Sequence, residues 1–190
     1  VFGAAPPIQP RKGGSRTVIF TGNLAPYQGI DRMLEAFRSV RARRDDVRLV
    51  IATEDRFEAY ERYAEELGVR PGIDVRQVSF SEVPELLSDA DVALNPRVSC
   101  DGLPQKLLNY MAAGKPVVSF QGSAKHLVNG ENAVVVPDND TEAFAAGIER
   151  LLADDALANR LGEAGRKLVR TTLSWSGAAE RIEALYHGLL

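Results

Sequence analysis

Apolar periodicity switches back and forth along this chain, and that alternation limits its possible folds more than any other feature. Thr17–Thr21, Val47–Ala52, Val75–Phe80, Val92–Pro96, Pro116–Phe120 and Ala133–Val136 are short β-branched or apolar runs, the pattern of buried strands. Between them the spacing changes to three and four. Ile30, Met33, Leu34, Phe37 and Val40 form one amphipathic stripe, Phe57 to Leu67 a second, Val83–Leu87 a short third and Pro104–Ala113 a fourth. Three more helices are predicted at the end, with stripes at Phe144/Ile148/Leu151, Leu157/Leu161/Ala164/Leu168 and Ala178/Ile182/Leu185/Leu189. Strands alternating with helices predict an α/β fold: a Rossmann-like, doubly wound, mainly parallel six-stranded sheet with helices on both faces. Such sheets bind ligands at the carboxyl ends of the strands, where the winding direction reverses. In the usual order the first and fourth strands flank that crevice. The loops after them, Gly22–Gly29 and Pro96–Leu103, are the richest in glycine, proline and polar groups.

With 190 residues, 45% of them hydrophobic and 26% charged, the chain is long enough for one domain with a substantial core. A net charge of −3 supplies no basic field, which argues against nucleic acid as a partner. The single cysteine, Cys100, permits no internal disulfide and suits a reducing cytoplasm. No apolar run reaches membrane-spanning length. Residues 1–16 combine proline, glycine, serine and charge, the chemistry of a linker, so the folded domain is expected over 17–190.

Asp101–Val118 carries the most chemical information. A small acidic loop leads to Pro104, expected at the first helical position, where its missing amide hydrogen costs nothing. Gly114 suits a left-handed helix cap before Lys115-Pro116 and an apolar strand. Leu107, Leu108 and Met111 can face the core, whereas Lys106 and Asn109 share another face. A helix start with free amides, glycine in its approach and a lysine in its first turn is suited to a phosphorylated ligand. Lysine there opposes the helix dipole unless an anion offsets it. It could also be a surface lysine with a buried stem.

The wording Gly102-Leu-Pro-x-Lys106-Leu-x-x-Tyr110-Met-Ala-x-Gly114-Lys-Pro resembles the donor-site segment of retaining GT-B glycosyltransferases of the group 1 / family 4 type. Val18–Phe37 is similar to the segment that opens the C-terminal half of those enzymes. Ala90–Pro96, Asn129–Pro137 and Ser174-Trp175 follow in the order of that family. The resemblance covers nearly everything from Thr17 onward. It implies a C-terminal, donor-binding half whose partners are a nucleotide diphosphate sugar and the missing N-terminal half of the same chain. It also implies transfer with retention of configuration, no metal and no cofactor. The setting implied is cell-envelope or polysaccharide synthesis in the cytoplasm, with peripheral contact at the inner face of the membrane made through the missing half. The fragment alone is expected to be inactive.

The resemblance also assigns positions. Gly22 and Gly29 flank the loop that approaches the donor pyrophosphate, although both could simply turn the chain. Asn23 and Gln28 stand where the family has arginine and lysine, so Arg97 and Lys106 are expected to supply the cations. Gly102 and Leu103 belong to the same phosphate approach. Asp101 falls at the acid that contacts hydroxyls of the transferred sugar, or serves as a helix cap. Asn109 falls at the ribose-binding position. Phe80 falls where the base packs, with core packing as its alternative. Arg97 could instead pair with Asp101 or Asp91. His126 and His187 lack the company that metal ligation needs. Glu54 and Asp55 are expected to open a helix, where negative charge suits the dipole. Two other functions fit the same wording: half of a nucleotide-sugar epimerase, or a GT-B-like binding domain without catalysis.

Overall fold

The computed structural model describes residues 14–174 and, beyond them, 177, 179, 182, 183, 185 and 186. Its six strands are β1 (Arg16–Thr21), β2 (Val47–Thr53), β3 (Ile73–Gln77), β4 (Val92–Asn95), β5 (Val117–Phe120) and β6 (Val134–Val136). The helices are α1 (Ile30–Arg43), α2 (Glu58–Glu66), α3 (Val83–Asp89), α4 (Gln105–Ala112), α5 (Thr141–Ala153) and α6 (Asp155–Thr171). All strand pairs are parallel and the order is β3-β2-β1-β4-β5-β6, so the winding reverses between β1 and β4. This is the doubly wound sheet that the alternating periodicity predicts. Of the linker expected over residues 1–16, residues 1–13 lie outside the described residues, and Arg16 already belongs to β1. Part of the last stripe, including Ala178 and Leu189, also lies outside them.

Strand residues sort by parity onto the two faces. Val18, Phe20, Leu49, Ile51, Val92, Leu94, Val118 and Phe120 meet the apolar sides of α1 and α5. Ile19, Val50, Ala93 and Val117 point the other way, onto α3 and α4. Phe120 and Phe144 pack with ring centroids 4.7 Å apart, holding β5 to α5.

Three boundaries depart from the sequence reading. β3 begins at Ile73 and stops at Gln77, not over Val75–Phe80. The Ser79 amide and hydroxyl both turn to the Glu82 carboxylate, at 2.8 and 2.7 Å, and this local turn ends the strand. α2 starts at Glu58, so Glu54 and Asp55 do not open a helix. Pro104 precedes α4 with ψ 124°, and its carbonyl accepts from Leu107 at 2.9 Å; it caps the helix and does not begin it.

At the other end of α4, Gly114 adopts φ 66° as expected, and Lys115 N donates to Tyr110 O at 2.9 Å. The Lys115 ammonium is buried and donates to the carbonyls of Ser88 and Ala90, both at 2.9 Å. It therefore ties α4 to the end of α3.

Candidate donor-binding site

α4 is fixed against β1 by one side chain. Tyr110 is fully buried, and its hydroxyl accepts from Thr21 N at 2.8 Å, at the carboxyl end of β1. Burial pushes its phenol pKa up, so it stays protonated. Lys106 lies one helical turn earlier on the same face and is thereby aimed at the loop after β1. A β-carbon added to Gly22 would lie 3.5 Å from Lys106 Nζ, so the ammonium sits directly beneath that glycine.

The β1–α1 loop is held just as firmly. The Asp55 carboxylate accepts from Leu24 N at 2.7 Å, and Tyr60 donates to Leu24 O at 3.1 Å. Pro26–Gln28 makes a single 3₁₀ turn that Gly29 ends at φ 74°. A β-carbon on Gly29 would come within 2.2 Å of Pro96 O, so glycine lets the loops after β1 and β4 touch.

Between these loops, the ends of β2 and β3 and the start of α4 lies a cavity of about 370 Å³. Of the residues expected at a site, Gly22, Asn23, Gln28, Phe80, Arg97, Lys106 and Asn109 line it. Gly29, Asp101, Gly102 and Leu103 do not. Gly29 packs behind the wall, Asp101 and Gly102 are exposed, and Leu103 lies against the apolar layer under α4. Asp101 does not cap α4 with its side chain. Phe80 is 51% exposed at the rim, not packed in the core.

Sequence reasoning missed Thr21, Thr53, Glu54 and Asp55 as cavity residues. Their position at the carboxyl ends of β1 and β2 was a usable signal, because ligands of this sheet type gather there. Tyr27 does not line the cavity, but its ring lies under the Arg97 guanidinium at 4.7 Å, a contact that nothing in the sequence singled out.

Lys106 carries the strongest electrostatic signature. It is only 9% exposed, with its ammonium 2.6 Å from Gln28 Oε1 and 3.9 Å from the centre of the Phe20 ring. This is not a surface lysine. Among the described residues no carboxylate pairs with it. Burial pulls its pKa down to about 7, the nearby charge of Arg97 pulls the same way, and Cys100 opposes them. Arg97 does not pair with Asp101 or Asp91; it donates to Ser99 O, and Asp91 instead pairs with Arg16 at 3.1 Å. Two basic side chains thus face one cavity, which Glu54 and Asp55 also line, and among the described residues neither is in an ion pair. Among the described residues, no group of three or more His, Cys, Asp or Glu could hold a metal ion.

Residues 3–168 match the family described as glycosyl transferases group 1. The chain belongs to that family. Among curated relatives it is 32% identical over 180 residues to a phosphatidyl-myo-inositol mannosyltransferase of Mycobacterium leprae, a match over 93% of this chain and 47% of the relative. It is 28% identical over 186 residues to a GDP-mannose-dependent α-(1-6)-phosphatidylinositol monomannoside mannosyltransferase of Mycolicibacterium smegmatis, covering 93% of this chain and 49% of the relative. The chain therefore spans about half the length of the curated relatives it matches. A solved C-terminal domain of a group 1 glycosyl transferase from Francisella tularensis has the same fold, with a TM-score of 0.74 and 19% identity over 85% of this chain and 88% of that one. Among the described residues no helix of this group 1 chain is long and apolar enough to cross a membrane.

Proposed function

We propose that the cavity binds the diphosphate of a nucleotide-sugar donor, and that the full-length protein transfers the sugar to an acceptor in envelope or polysaccharide glycan synthesis. The observation that carries this reading is Lys106: a buried ammonium with no ion-pair partner among the described residues, beside a helix start, at the switch point of the sheet. Such a group is costly unless an anion joins it. The amides at the start of α4 and the Arg97 guanidinium complete a cradle for a departing diphosphate, which stabilises negative charge as it develops.

The other roles are those that the family resemblance implies. Asn109, one turn beyond Gln105, is placed for a ribose hydroxyl. Phe80 at the end nearest β3 can cover a base. The sugar is assigned to the side of the β4–α4 loop, beyond the cavity lining, where the exposed Asp101 can hold a hydroxyl beside Gly102 and Leu103. The segment before β1 would join this domain to the half that supplies the acceptor side and any contact with the inner face of a membrane. Neither a metal nor a cofactor enters this scheme. The mannosyltransferase relatives are named for GDP-mannose and phosphatidylinositol acceptors, which supports transfer of a sugar from a nucleotide donor. Neither of them is an epimerase, and an unpaired buried cation argues against a domain without a ligand.

A binding screen tests this reading. UDP, GDP, ADP, dTDP and CMP are titrated into the chain, and at least one diphosphate should bind clearly more tightly than CMP. With a nucleotide sugar, whose diphosphate does not titrate near neutrality, affinity should fall as pH rises from 7 to 9. Lys106, with its pKa lowered to about 7, loses its proton over that range in the free protein, and the ligand needs it charged. Binding of none of the five nucleotides would refute the proposal.

A further inference from the structure

The two cavity cations are joined by a chain of neutral side chains whose direction is set by the charged form of Lys106. Lys106 Nζ donates to Gln28 Oε1 at 2.6 Å. Gln28 Nε2 donates to Asn23 Oδ1 at 2.9 Å, and Asn23 Nδ2 donates to the Tyr27 hydroxyl at 3.0 Å. The Tyr27 ring then lies under Arg97 at 4.7 Å. An ammonium is donor only, so the group facing it must accept. That requirement turns the oxygen of Gln28 toward Lys106, and its amide nitrogen is left to Asn23. Each amide in the chain is used at both ends.

We propose that Gln28 is a positioning residue that holds the Lys106 ammonium beneath Gly22, facing the donor diphosphate, without neutralising its charge. This rests on the reading that the cavity takes a diphosphate. The chemistry of position 28 explains why a neutral acceptor is suited to the task. A carboxylate at 2.6 Å would form an ion pair and compete with the phosphate for the lysine. A second ammonium there would repel the first. An aliphatic side chain would leave a buried donor without its acceptor. An ammonium carries three donors. Gln28 takes one and the Phe20 ring faces the ammonium on another side, which leaves donor capacity for a phosphate oxygen. The loop after β1 thus contributes orientation to the anion site, and α4 contributes the charge.

The test compares Gln28→Glu, Gln28→Met and Lys106→Met with the parent chain, reading GDP and UDP affinity, nucleotide-sugar affinity between pH 7 and 9, and the melting temperature without ligand. Gln28→Glu should melt at or above the parent and bind the preferred diphosphate at least tenfold more weakly. Its affinity should also lose the fall above pH 7, because a carboxylate partner keeps Lys106 protonated. Gln28→Met should weaken binding and melt lower; if it fails to fold, Gln28→Glu decides alone. Parent-like diphosphate affinity in Gln28→Glu, or an unchanged pH profile, overturns the inference. Parent-like affinity in Lys106→Met would instead overturn the diphosphate reading. Loss in Lys106→Met with none in Gln28→Glu overturns only the role given to Gln28.

Discussion

Lys106→Met is expected to bind nucleoside diphosphates about 10- to 100-fold more weakly than the parent chain while melting at the same temperature or higher. A hydrogen bond to a charged group contributes roughly 1.5–3 kcal/mol, and each ~1.4 kcal/mol is a factor of ten. Methionine keeps the unbranched stem and an apolar contact with Phe20, and it removes a buried group that favours losing its proton. The pH dependence of stability separates the two proteins further. Lys106 holds its proton more weakly when folded, with a pKa of about 7 against 10.5, so between those values the unfolded chain binds more protons. Its contribution to stability therefore rises with pH across that window in the parent and is absent in the variant. Calorimetric titration of GDP and UDP, with thermal scans from pH 7 to 10, checks both points. A variant that melts much lower yet binds normally would give Lys106 a structural role.

Gly29→Ala should have the largest effect on the fold around the site. Its backbone sits at φ 74°, and the new β-carbon would lie 2.2 Å from Pro96 O, a backbone atom with no rotamer to change. Left-handed backbone costs a non-glycine residue roughly 1–2 kcal/mol, and overpacking adds about 1–3 kcal/mol. For a domain of this size, each kcal/mol lowers the melting temperature by roughly 2–4 °C, so a fall of about 5–15 °C is expected. Nucleotide affinity should fall too, because the loop that carries Asn23 and Gln28 must move away from Arg97. A variant that melts and binds like the parent would show that the two loops need not touch.

The sheet was legible because its strands are short, apolar and separated by helical stripes long enough to cross over. The error at β3 came from Val78-Ser79-Phe80, which extend the strand pattern by composition while the Ser79–Glu82 turn, a side-chain effect, ends the strand. The site was legible at its two loops, since the rule for doubly wound sheets depends only on strand order. The state of Lys106 was not. The same first-turn lysine fits a surface position equally well, and its burial depends on Tyr110 reaching Thr21, 89 positions earlier in the chain. Asp55 was hidden for a similar reason: its carboxylate serves the backbone of Leu24, 31 positions away, and not the helix that follows it. The relay from Tyr27 through Asn23 to Gln28 lies within one loop, yet its purpose becomes visible only once Lys106 stands at its end.

The central claim is that a nucleotide diphosphate lies between the loop after β1 and the start of α4. Assigned amide resonances of the chain, followed while GDP and UDP are added, test it most directly. The account predicts that the preferred nucleotide shifts Gly22, Asn23 and Gln28, the first amides of α4 at Gln105 and Lys106, and Phe80 at the base end, with the largest changes at Gly22 and Lys106. Shifts confined to other surfaces, such as the groove between α1 and α5 lined by Glu35, Ser39 and Glu142, or no shifts with either nucleotide, would contradict it.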